Sequence, residues 1–359
     1  MKILNSLLLA IILTNSVYSQ TINTDAVNRF WTVVELLKSD KPLTDSLWNF
    51  YYSVQGNKVY MDNNRSEENV AAHRKYLEFL FKPSLTDSLK NIESNIKNFE
   101  NDDIFQNLYF IKSNEQKLKE YSKEIQKPAY LETSIKLAKK YLPKNKYNKI
   151  PKNLTVYIMA MTYDAAVQDS SMYFGISCVY DLDRFQKGSV AAHELHHILR
   201  KNKEFKIKLS PRDSATVDIV DQVNNEGCAD LIDKTVFIEN AEKIAIGNAI
   251  KNWLISEADN TIKKIDSCFI VNSLSIKEFT NSKEFRKITN YSSGHIPGFY
   301  MVDIIKRNGY MSELISVNDN PFNFFYIYNK AAKKDKLKPS TFSQQTIEYL
   351  KKIESKLQM

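Results

Sequence analysis

Cysteine is scarce in this chain: Cys178, Cys228 and Cys268 are the only three in 359 residues, far apart and odd in number. At most one internal disulfide is possible, which excludes a disulfide-built scaffold and predicts buried free thiols. No cysteine follows the first apolar run, so a bacterial lipid anchor is not expected. No second long apolar run occurs after Leu7–Leu13, so stable membrane insertion is not expected once the leader is gone. Although the net charge is +8, the lysines do not form a stripe interleaved with aromatics. That excludes a nucleic-acid footprint and predicts a solvated basic surface. Glycine is also rare, at eight residues, in a composition rich in Lys, Asn, Ile, Tyr and Phe. This composition fits a bacterial exported protein. Histidine is rarer still, with five residues.

Residues 1–19 read as a signal peptide: an early lysine, a short apolar run, then Val17 and Ser19 at the −3 and −1 positions of a cleavage before Gln20. The expected location is periplasmic or extracellular. The mature chain is expected to divide into an N-terminal helical region, 20–150, and a second region, 151–359. In the first, AVNRFWTVVELL, SLWNFYYSV, ENVAAHRKYLEFLF and ETSIKLAKKYL space apolar residues three and four apart. LTDSL occurs twice, at 43–47 and 85–89, each time as a helix start. YLPKNKYNKIPKN, 141–153, reads as a linker. Two strands are then expected at about 154–162 and 172–180, joined by a polar turn. Helices follow at 189–201 and 213–238, then a mostly helical remainder interrupted by the loop YSSGHIPG, 291–298. The predicted fold is α+β, predominantly α-helical, with a small antiparallel or mixed sheet.

Three of the five histidines fall within five positions of VAAHELHHILR, 190–200. On a helix turning about 100° per residue, His197 lies about 40° from His193 and His196 about 60° away on the other side. Glu194 decides between them, because it sits beside the His193–His197 face and points away from a His193–His196 pair. The result is H-E-x-x-H, two neutral imidazoles for Zn²⁺ and a carboxylate to take a proton from the attacking water. His196 is left without a catalytic role. VAAH recurs at 70–73 without a following glutamate or second histidine, so His73 reads as an ordinary helical residue.

A third ligand is needed. The extended H-E-x-x-H-x-x-G-x-x-H pattern fails, because Arg200 stands at the glycine position. VNNEGCADLID, 223–233, supplies Glu226 as the ligand and Asp230, four residues on, to hold the free ring N–H of His193. Gly227 and Ala229 are small enough to let this helix approach the first. Tyr291 and His295 offer an electrophile for the oxyanion.

HELHH followed by NNEGCAD resembles the glutamate-zincin metallopeptidases, whose second motif, N-E-x-x-x-D, Asn225, Glu226 and Asp230 match. The EGxAD form more closely resembles a group of bacterial zinc-dependent peptidases. The resemblance covers about 151–335 and implies a zincin-like core, a substrate-binding strand beside the active-site helix, and hydrolysis of a peptide or protein. Two alternatives remain: another metal-dependent hydrolase or zinc-binding module, and a metal-free helical interaction protein.

Overall fold

The computed structural model describes residues 20–85, 102–144, 146–168, 170–201, 208–275 and 279–358. The expected leader, 1–19, and most of the second LTDSL lie outside them.

The N-terminal helices are α1 Asp25–Lys38, α2 Asp45–Tyr52, α3 Gln55–Asn64, α4 Glu67–Phe81, α5 Asp103–Ser113, α6 Glu115–Ile125 and α7 Pro128–Lys139. Their starts follow local chemistry. Thr44 accepts from the Leu47 N–H, and Ser66 with Asn69 forms a reciprocal capping box.

A small mixed sheet follows, with strands β1 Thr21–Asn23, β2 Thr155–Met159, β3 Ala165–Gln168 and β4 Ser171–Gly175 in the order β1-β2-β4-β3. β1 and β4 flank β2 in parallel, and β3 runs antiparallel to β4 at one edge. The two expected strands are therefore present but shorter, and they are parallel neighbours. The hairpin is β3–β4, turning through Ser170 at φ +69°. β3 carries the weak strand formers AAVQ and gave no clear sequence signal. The second expected strand stops at Gly175, because ISCVYDLD forms helix α8, Ile176–Asp183, despite its β-branched residues. Gly175 is needed at this corner. Its N–H donates to the Asp164 carbonyl at 2.9 Å, and a Cβ there would stand 2.0 Å from the Thr162 carbonyl oxygen.

The remaining helices are α9 Ser189–Leu199, α10 Pro211–Glu239, α11 Gly247–Ile255, α12 Ala258–Leu274, α13 Ser282–Ile288, α14 His295–Arg307, α15 Met311–Val317, α16 Pro321–Ala332 and α17 Gln344–Gln358. No helix among the described residues is long and apolar enough to cross a membrane. All three cysteines are buried and unpaired.

Two apolar cores result. The first joins α1–α7, the sheet, α8 and α9, for example Phe30, Phe105, Tyr130, Ile158, Phe174 and Leu195. The second joins α10, α12, α14, α16 and α17 around Phe269, Ile304, Phe325 and Leu350. α10 belongs to both, since Ile232 and Phe237 enter the first and Val220 and Val223 the second. A helix buried on two sides loses a one-sided apolar stripe.

α10 and α14 touch backbone to backbone. A Cβ on Gly227 would come within 2.6 Å of the Gly298 carbonyl oxygen, and one on Gly298 within 2.6 Å of the Val223 carbonyl oxygen. Gly227 thus admits α14, rather than the approach to α9 expected from sequence. In an open helix position Gly→Ala stabilises by about 0.8–1 kcal/mol. Here Gly227→Ala is expected to destabilise by about 1–3 kcal/mol, the ordinary cost of overpacking. Denaturant melts give the sign, and a more stable variant contradicts the close crossing.

Candidate metal centre

α9 starts at Gly188, whose φ of +76° suits glycine and whose N–H donates to Asp183 Oδ1 at 2.8 Å. Its first turns are Ser189, Val190, Ala191 and Ala192, all buried, so the helix sits deep between its neighbours. It ends where Arg200 forms an antiparallel bridge with Tyr147. His193 and His197 face α10, and His193 is only 4% exposed.

On α10, Glu226 stands between the imidazoles. Its Oε2 lies 3.6 Å from His193 Nε2 and 3.5 Å from His197 Nε2. His193, His197 and Glu226 each offer a ligand atom within 4.8 Å of the other two. Neighbouring donors around a tetrahedral ion with bonds of about 2.0–2.1 Å stand roughly 3.4 Å apart, so the two measured separations suit a shared zinc. His295 Nε2 is 3.4 Å from the same carboxylate oxygen, but His295 does not belong to this mutual group. It forms a second one with His193 and Asp230.

The carboxylates behind the imidazoles are arranged differently from the sequence expectation. Asp230 was expected to hold His193. Instead His193 Nδ1–H donates to Asp233 Oδ1 at 2.9 Å, with Asp230 3.8 Å away. Asp230 accepts from His295 Nδ1 at 2.9 and 3.1 Å. The reason is helical phase. Glu226, Asp230 and Asp233 are spaced i, i+4, i+7, so all three lie on one face of α10, and the last reaches the rear of His193. That spacing is present in NNEGCADLID, where Asp233 is the third member of the face. Lys234 donates to Asp233 Oδ2 at 2.6 Å and lies 3.9 Å from Asp230.

These charges set the proton affinities. Burial opposes protonation of His193, but the Asp233 carboxylate outweighs it and raises the pKa well above the ordinary imidazole value. His295 is raised in the same way, with Asp230 and Glu226 overcoming burial. Burial pushes Glu226 up, but the surrounding imidazoles hold it well below the usual carboxylate range. Surroundings that favour a proton at these nitrogens also favour a metal cation there. Glu194 is 6% exposed, and burial raises its pKa despite the neighbouring histidines. Burial keeps His196 neutral, far below its usual value.

Glu194, His193 and His295 line a cavity of about 250 Å³ whose wall includes Tyr163, Asp164 and Ala165, at the entry to edge strand β3. Trp253 of α11 lines it too, 6.3 Å from His295 between ring centroids. The edge is therefore β3, whereas both sequence-expected strands are interior. Tyr291 does not line this cavity and is 63% exposed. It belongs to the turn before α14, where Asn290, Tyr291 and Ser293 have positive φ, and His295 is the first residue of the helix rather than part of a loop.

Asp233→Asn tests the back of the site. It weakens the hold on His193, and zinc affinity is expected to fall about 10–100-fold. Competition with a metal chelator measures it, and unchanged affinity makes Asp233 only the partner of Lys234.

A mainly helical fold that gathers two imidazoles and a carboxylate between adjacent helices defines a zinc-dependent class of protein. Residues 48–337 match the family described as "Putative zinc dependent peptidase (DUF5700)", and the chain belongs to that family. The match begins within α2, so it takes in most of the N-terminal helices, well before residue 151 where the motif resemblance starts. No curated protein and no solved structure matches the chain.

Proposed function

We propose that the chain is an exported zinc metallopeptidase of the glutamate-zincin type, with His193, His197 and Glu226 as metal ligands. The observation that carries this reading is the convergence of those three donors at 3.5–3.6 Å about Glu226. When bound, zinc polarises the scissile carbonyl and makes water acidic enough to attack it near neutral pH. Glu194 takes the proton from the attacking water and passes it to the leaving amine. Its burial and raised proton affinity suit both steps. His295, held through Nδ1 by Asp230, presents its other nitrogen to the site and supports the developing oxyanion. Tyr291, exposed and outside the cavity, has no part in this mechanism. The substrate backbone pairs with the outer edge of β3, which no strand among the described residues covers and which leads directly from the cavity wall. Residues 1–19 direct export and are then cleaved off, leaving Gln20 just ahead of β1.

The full chain, zinc-loaded, is tested by metal analysis and by digestion of a peptide library with mass spectrometry of the new termini. Zinc in stoichiometric amount and cleavage that phenanthroline abolishes and added zinc restores are the expected results. Protein without zinc, or zinc-loaded protein that leaves every peptide intact, overturns the reading.

A further inference from the structure

The donor cluster is approached by two cavities of different chemistry. On the His193 side is the cavity of about 250 Å³ beside Glu194, where Leu182, Val190, Phe237, Ile250 and Trp253 form an apolar wall and the charged residues besides Glu194 are Asp164 and the paired Asp233 and Lys234. On the His197 side is a groove of about 1120 Å³ lined by Lys146, Arg200 and Lys201, with Asp319 as its one acidic residue. One of these cations, Lys146, comes from a lysine-rich stretch, and Arg200 and Lys201 come from the end of α9. Between Glu132 and Asp164 there are seven lysines and no acidic residue. The Tyr147–Arg200 bridge and the bond from Asn148 N–H to the Leu199 carbonyl at 2.8 Å lay this stretch against the end of α9.

The three cations are not equivalent. Arg200 is buried and committed, donating to Asp221 at 2.7 Å and to Asn225 Oδ1 at 3.3 Å. Lys146 and Lys201 are exposed, and among the described residues neither makes an ion pair. Two ammonium groups with no ion pair among the described residues therefore border a groove that runs to a candidate metal ligand. The net charge of +8 extends their attraction for anions into solution.

We propose that this groove is a substrate subsite for an acidic side chain, on the side of the scissile bond away from the apolar cavity. Lys146 and Lys201 are its specificity-determining residues. The inference rests on the peptidase reading and names the substrate class: peptides with an apolar residue on one side of the cleaved bond and Glu or Asp on the other.

Binding to zinc-loaded Glu194→Gln protein tests it independently of turnover. Labelled peptides carry one fixed leucine, with Glu, Gln or Lys scanned through the positions on both sides of it. Glu peptides are expected to bind about three- to tenfold tighter than Gln peptides, on one side of the leucine only, the range two screened ion pairs allow. The advantage shrinks toward one at about 0.5 M salt. Lys146→Glu with Lys201→Glu reverses the order of the Glu and Lys peptides. The single variants Lys146→Gln and Lys201→Gln each reduce the advantage, which covers misfolding of the double variant. Equal affinities for all three peptides at low salt, or an order untouched by these variants, overturns the subsite. Failure of the peptidase reading shows separately, as wild-type protein that binds peptides in this order and cleaves none.

Discussion

Glu194→Gln is expected to lower kcat by about 10²–10⁴-fold while zinc content stays at the wild-type level. The separation of the two readouts follows from position. Glu194 lies on α9 next to His193 but is not one of the mutually close donors, and it borders the cavity that a scissile bond would enter. Glutamine keeps the shape and hydrogen-bonding reach of the side chain, so the buried site has no cavity to collapse around. It loses only the ability to accept and return a proton. A variant that turns over peptides at the wild-type rate removes Glu194 from proton transfer. A variant that loses its zinc instead makes Glu194 part of the metal's support.

Glu226→Ala is expected to abolish zinc binding and, with it, activity. Among the described residues, Glu226 is the one in contact with three imidazoles, at 3.4–3.6 Å from each. Its loss takes away a donor and leaves His193, His197 and His295 without the charge between them. Because metal binds the folded chain, zinc at about one hundred times its Kd stabilises wild type by roughly 2.7 kcal/mol. Chelation should therefore lower the wild-type Tm and leave that of Glu226→Ala unchanged. An alanine variant that retains zinc with wild-type affinity eliminates Glu226 as a ligand.

Much of this centre could be read from residue spacing. The histidine pair, the adjacent glutamate and the distant Glu226 are set by helical phase and by the shortage of other donors, and the structure brings them together. What spacing could not supply was the order of contacts between helices. Asp230 and Asp233 lie on the same face of α10, and only the placement of α14 assigns one to His295 and the other to His193. The Gly227–Gly298 crossing that seats α14 was invisible for the same reason, since a glycine in sequence does not say which neighbour it admits. The sheet was legible as two runs of β-formers. Its register was not: ISCVY turns helical under burial, and the edge strand consists of alanines, a valine and a glutamine. A parallel pairing between β1 and β2 joins residues more than 130 positions apart, beyond any local signal.

The N-terminal helices share one core with the sheet and with α9. A cut that released them would uncover Val156, Ile158 and Phe174 and leave the floor beneath α9 open to water. Shedding these helices would therefore expose the core that seats α9 rather than release a separately folded unit. These helices are part of the foundation on which the candidate metal centre stands.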